Sequence, residues 1–350
     1  MKIYKILLSV FLIILIPLSS LFFLELFLKW QAKPHVLSER MSHKKGETID
    51  PLDYDAELGW IQKPNLKMSM YSEEFKSYYQ YTNSFGLSDD EFNLKDDEKK
   101  IRILVLGDSH THGTGVSTED SWPNVLEILF KLNNFDNVTV YNAGVGAYNV
   151  DQYLISFRRL KDQLKPHMVI IGFSIATDFY DVGRIDNNFV YGNNIGRTYF
   201  SLDEKNKLIE NTELYGKRNI DKILLTAKRN KSLSIREYLG KFLVYQNFKR
   251  SKLAVWIAAN IKIGDESLWP GIDLGVKKIL TDKDQYRVNL VSSILGQIRK
   301  EADNINAKTL LIPIPYIAEV YDSLWFSSFG SNPDTYDRSL PTERLKNISA

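Results

Sequence analysis

Cysteine is absent from this chain of 350 residues. Disulfides, thiolate-bound metals and thiol catalysis are therefore excluded. A surplus of one charge is missing as well: Lys plus Arg is 45, Asp plus Glu is 43, and the formal net charge is +2. Without a strong field of either sign, nucleic acid is not an expected partner. Histidine is scarce. The five are His35, His43, His110, His112 and His167, and none follows residue 167. Only His110 and His112 lie close together near other polar groups, and no third ligand accompanies them, so no metal is expected. No Gly-rich phosphate-cradling pattern follows the first apolar strand, and no cofactor is expected. Internal repeats and low-complexity tracts are also lacking.

What is present begins with an apolar run. Ile6 to Leu24 is 19 residues without a charge, preceded by Lys2 and Lys5. That length crosses a bilayer as a helix, and Pro17 is tolerable there. A cleavable signal peptide is the alternative, but its apolar region is normally shorter. The expectation is a single-pass anchor over residues 1–29, a polar basic linker over 30–50, and a globular domain over 51–350 on the far side of the membrane from the cytoplasm.

Residues 51–98 hold short apolar pieces broken by Gly, Pro and Asn, which predicts strands and turns. From Lys100 the pattern alternates. Strands are expected at Ile101–Leu106, Val138–Tyr141, Met168–Phe173 and Thr309–Ile314. Helices are expected at Trp122–Leu132, with Leu126, Leu129 and Phe130 on one side, at Val150–Leu164, with Leu154, Phe157 and Leu160 in three-and-four spacing, and at Asp284–Ile305. Apolar strands alternating with helices predict an α/β fold, a parallel sheet covered on both faces. Residues 184–283 exceed an ordinary connection. The aromatic-rich stretch Ile235–Ile261 suggests that they form a helical insertion.

In an open parallel sheet, ligands bind beyond the carboxyl ends of the strands. Three loops are expected there. Gly107-Asp108-Ser109 follows the first strand, Asn142-Ala143-Gly144 the second, and Ile175-Ala176-Thr177-Asp178 the third. A serine on a tight turn after a parallel strand is a way to present a nucleophile. Gly107 lets the backbone turn there. A capped turn without chemistry is the plain structural alternative.

The order and spacing of these three blocks resemble the SGNH (GDSL-type) hydrolases, a flavodoxin-like α/β family of esterases, lipases and carbohydrate acyl-ester enzymes. The segment Asp55 to Trp60, Pro64-Asn65 and Asn83-Ser84-Phe85-Gly86-Leu87 resembles the lead-in of a membrane-anchored subgroup. The resemblance spans about residues 50–182 and, more loosely, 284–316. It implies that Ser109 is the nucleophile. The oxyanion donors it implies are the N–H groups of Ser109 and Gly144 together with position 177. Gly107, Asp108, Asn142 and Asp178 support them, Asp178 by holding its loop through local hydrogen bonds.

The chain departs from the family pattern twice. Thr177 stands where an Asn is usual, and its hydroxyl reaches less far than a carboxamide. The family's fourth block, an Asp-x-x-His that supplies the general base, has no counterpart after His167. Either the chain is a shortened product of a longer enzyme or it is a member that has lost the base. Three functions follow as expectations. The first is ester hydrolysis of acyl groups on a carbohydrate or cell-envelope component. The second is O-acyl transfer by the same serine, and the third is binding or assembly by a degenerate relative.

Overall fold

A computed structural model describes residues 43–44, 47–48, 51–72, 76–97, 99–183, 197–212, 272–330 and 333–349. All belong to a compact unit spanning 39–227 and 267–350. The apolar run Ile6–Leu24 and the stretch Ile235–Ile261 lie outside the described residues. Among those described, no helix is long and apolar enough to cross a membrane.

Four strands form the central sheet: β1 (Ile101–Gly107), β2 (Val138–Gly144), β3 (Met168–Ser174) and β4 (Lys308–Ile314). All pairs are parallel, in the spatial order β4-β3-β1-β2. Read from the other edge this is 2-1-3-4, the flavodoxin-like order, whose switch point lies between β1 and β3.

The alternation of side chains along each strand builds three layers. On one face Leu104, Leu106, Val169, Ile171 and Phe173 pack with helices Val150–Leu164 and Asp282–Asp303. On the other, Ile103, Val105, Val140 and Ile170 pack with Trp122, Leu126 and Phe130 of helix Trp122–Leu132. Leu104, Val105 and Leu106 of β1 are wholly buried because both faces are covered. Helices Trp122–Leu132 and Val150–Leu164 lie where their spacing predicts. Leu129 does not: it is 49% exposed, because residues spaced by four (122, 126, 130) make the contact stripe.

Strands β2 and β3 run further than their apolar runs suggest. Asn142-Ala143-Gly144 is still strand, and so is Ser174. The part of the 184–283 stretch described by the structure includes an antiparallel hairpin, Thr198–Leu202 with Leu208–Thr212, where a helical insertion was expected. The Asp151 carboxylate pins one strand of it: Phe200 N–H donates to Oδ1 at 2.8 Å, while Oδ2 accepts the Gly183 N–H at 2.7 Å.

As expected, the segment before β1 folds as strands and turns. Hairpins Leu52–Asp55/Gly59–Gln62 and Lys67–Ser72/Lys76–Tyr81 fill it.

The outer edge of β2 is closed by side chains. The N–H groups of Val140, Asn142 and Gly144 donate to Glu127 (2.8 Å), Asp89 (3.2 Å) and Asn142 Oδ1 (3.1 Å). The donors of that edge are thereby satisfied, which weakens it as a template for another strand.

Candidate active site

Three glycines lie side by side at the carboxyl end of the sheet. Gly107 of β1 pairs with Gly144 of β2 and with Gly172 of β3. This bare rung makes room for the turn that follows β1. A Cβ on Gly107 or Gly172 would strike Thr111 Oγ1, and one on Gly144 would strike the backbone at Thr111 and His112. Thr111 is fully buried on that floor. Glycine is required here because of close approach, not because of backbone angle.

Seated on the rung is a short helix, Ser109–His112. Asp108 is its N-cap and accepts the His110 N–H at 2.9 Å. Gly113, at φ 88°, ends it in the left-handed region. Ser109 therefore heads the first turn, as expected. Neither its N–H nor its hydroxyl has a hydrogen-bond partner among the described residues, and the residue is half-buried. A helix-first amide of this kind has no intrahelical acceptor and is directed at whatever binds the rim.

Asp108 is 3% exposed and gathers the neighbouring loop. His110 Nδ1 sits 3.1 Å from both of its oxygens, and the Thr177 hydroxyl is 3.4 Å from Oδ2. Thr177 Oγ1 also lies 2.9 Å from Ser174 Oγ. Position 177 is thus beside the loop that carries Ser109, and its single proton has two acceptors.

Asp178 is fully buried, accepting Ser174 N–H at 2.8 Å and the Tyr153 hydroxyl at 3.0 Å. Burial, then the nearby Asp108 charge, holds its carboxyl well above the ordinary range. The local loop-holding bond expected of it is present.

The two histidines of the turn differ. The hydrogen bond to Asp108 raises His110, while burial pushes His112 down to about 4. His112 Nδ1 lies 3.2 Å from Thr114 Oγ1. Neither ring hydrogen-bonds to Ser109. His167 is at the opposite end of β3, accepting the Arg102 N–H at 3.1 Å.

After β2 the structure differs from the expectation. Asn142 is fully buried; its Nδ2 donates to Ser121 Oγ at 3.1 Å and its Oδ1 accepts the Gly144 N–H. That N–H is turned to the outer edge of β2, and the expected donor is committed to Asn142. A β-turn follows, closed by Tyr148 N–H to Val145 O at 3.2 Å. Ala147, its third residue, has φ 64°. A negative angle followed by a positive one makes the turn type II. This turn is the feature sequence reasoning missed.

The hairpins before β1 reach up to grip the rim. Buried Gln62 donates to Gly144 O at 3.0 Å, Trp60 Nε1 to Gly146 O at 3.1 Å, and Gln80 to Gly113 O at 3.2 Å. Each rim loop after β1 and β2 is tied to a side chain from outside the sheet.

No family model matches the sequence, and no curated protein matches it. Solved structures do. One is the psychrotrophic esterase EstA from Pseudoalteromonas sp., inhibited by monoethylphosphonate. It is 13% identical, with 72% of this chain and 75% of that chain covered and a TM-score of 0.30. Another is TesA, 12% identical, with 71% and 96% covered and a TM-score of 0.29. A third is AlinE4, an SGNH-hydrolase family esterase. It is 15% identical, with 67% and 82% covered and a TM-score of 0.24.

Proposed function

We propose that the chain is an SGNH-type serine ester hydrolase. The observation that carries the reading is the Ser109 hydroxyl, without a partner among the described residues, at the head of a capped helical turn, between the loops after β2 and β3. Ser109 Oγ bonds to the carbonyl carbon of an ester, and the carbonyl π pair moves onto its oxygen. The Ser109 N–H and an amide of the Val145–Tyr148 turn hold that oxyanion, with the Thr177 hydroxyl beside them. Collapse expels the alcohol. Water then releases the acid and restores the serine. The serine proton passes to a general base and from it to the departing alcohol; neither histidine ring of the turn hydrogen-bonds to Ser109, their Nδ1 atoms facing Asp108 and Thr114 instead, so neither is assigned that role.

The substrate is an acyl ester of a carbohydrate or envelope component, and the apolar run Ile6–Leu24 anchors the domain outside the cytoplasm. Both points rest on the sequence resemblance and on that run. O-acyl transfer would use the same groups, with a sugar hydroxyl in place of water.

A fluorophosphonate probe tests the reading. The expected result is covalent labelling of the wild-type chain and loss of labelling and of p-nitrophenyl acetate hydrolysis in Ser109→Ala. Neither histidine ring of the turn hydrogen-bonds to Ser109, which favours a second reading, a binding protein that keeps the rim without the chemistry. Silence toward the probe from a folded sample would support that reading.

A further inference from the structure

We infer that Thr111 is a positioning residue: its buried hydroxyl is the spacer that sets the height of the Ser109 turn above the sheet. The inference rests on the proposed ester hydrolysis at Ser109. Both residues belong to one four-residue helix, Ser109–His112. At about 3.6 residues per turn, positions two apart face opposite sides of a helix. Thr111 faces the sheet, and the seating of its side chain decides where the head of the same helix stands.

The seat is closely defined. A Cβ on Gly107 would lie 2.0 Å from Thr111 Oγ1, and one on Gly172 would lie 2.4 Å from it. The oxygen thus fills the place where both missing side chains would begin, on β1 and on β3. A Cβ on Gly144 of β2 would meet Thr111 Cβ at 2.8 Å. One side chain therefore rests on three strands at a single rung. The seat is also walled: a Cβ on Gly172 would meet Ile314 Cδ1 and Trp122 Cζ2, each at 3.2 Å.

Thr111 is wholly buried, yet its Oγ1 has no hydrogen-bond partner among the described residues. A threonine in a helix commonly bonds a carbonyl three or four residues back. Here those carbonyls, Asp108 O and Gly107 O, accept His112 N–H at 2.9 Å and Val145 N–H at 3.1 Å instead. A buried hydroxyl without a partner costs stability, so its presence calls for another reason. That reason is size. A Cα–H···O contact closes to about 3.3–3.6 Å, whereas two carbon atoms rest at about 3.5–4.0 Å. A methyl group in place of the oxygen would lift the turn by a few tenths of an ångström. Catalytic groups have to be held within about 0.5 Å of their productive positions, so a lift of that order is felt in the rate.

The test uses the full chain, p-nitrophenyl acetate and a fluorophosphonate. Thr111→Val puts a methyl where the hydroxyl sits. Thr111→Ser keeps the hydroxyl and drops the methyl. Should valine prevent folding, Thr111→Cys takes its place, since it differs from the serine variant only in a larger atom at the seat. Urea unfolding reports the stability lost by each. For valine or cysteine the expected result is a fall in kcat of tenfold or more, with KM within twofold and the labelling rate of Ser109 falling in step. Serine should keep both rates within threefold of wild type, whatever stability it loses.

A folded valine or cysteine variant with kcat within threefold of wild type overturns the inference. So does a serine variant that loses as much rate as the larger substitutions, or a loss carried by KM alone, because packing without positioning would give either. If Ser109→Ala remains active, the proposed function fails on its own account, whatever position 111 does. A folded wild-type protein that neither hydrolyses the ester nor labels at Ser109 overturns both.

Discussion

Gly144 and the turn that begins one residue later look alike in sequence and do opposite work. At Gly144 the missing side chain matters: its Cα lies under the backbone of Thr111 and His112, and its N–H is closed off by Asn142. At Gly146 a Cβ would meet nothing within 4 Å, and what matters is the peptide that follows, held by Trp60. One glycine is a packing surface for the helix Ser109–His112. The other belongs to a turn held from outside the sheet. A glycine beside Ser109 is therefore assigned by what its Cα touches and where its amide points.

Alanine at each position should separate the two roles, and this is the largest effect expected. Gly144→Ala drives a methyl into backbone that cannot move without lifting Ser109–His112 off the rung. Overpacking of this kind costs about 1–3 kcal/mol, and a backbone clash belongs at the upper end. Urea unfolding should show that loss. Gly146→Ala, in open space at a negative φ, should leave stability within about 1 kcal/mol, on the favourable side through the less flexible unfolded chain. Equal losses at both positions would erase the distinction.

Much of this was legible from the chain. The long apolar strands and the periodic helices Trp122–Leu132 and Val150–Leu164 are visible because their patterns extend over many residues. The three blocks mark the rim, and the β1-β3 switch point brings the loop of Thr177 to the loop of Ser109, where the Thr177 hydroxyl meets Asp108. The direction of an amide was not legible. It is set by Asn142 from within the strand and by Trp60 from 86 residues away, and neither contact leaves a periodic signal. The hairpin Thr198–Leu202/Leu208–Thr212 was missed for a similar reason: its strands are short, and it is pinned by Asp151, far off in sequence.

A smaller effect comes from the helical turn packed on Gly144, whose two histidines shift in opposite directions. His110 is raised by its bond to Asp108. Its contribution is fully present below the unfolded-state value and is lost as pH rises through the folded one. His112 is lowered to about 4 by burial. Its contribution is present above the unfolded value and is lost as pH falls from about 6.5 toward 4. His110→Gln should therefore destabilise at pH 5 and match the wild type at pH 9, as read from thermal unfolding. His112→Gln should flatten the acid side of the same profile. Identical pH profiles for the two variants would mean that the turn does not hold the rings as described.

The smallest effect is expected at Ala147, where two terms oppose each other. A left-handed residue with a Cβ costs about 1–2 kcal/mol, which glycine would recover. Glycine also frees the unfolded chain, at a cost of about 0.4–1 kcal/mol. Ala147→Gly should therefore change stability by no more than about 1 kcal/mol, in the stabilising direction. If the turn is positioned from outside, by Trp60 and Tyr148, the relaxed residue should keep the same peptide orientation, and kcat should stay within threefold of wild type. A large loss of stability in Ala147→Gly would show that the Ala147 methyl packs in a way that outweighs its backbone cost. The contrast with Gly144 would then fail, because both positions would be packing sites.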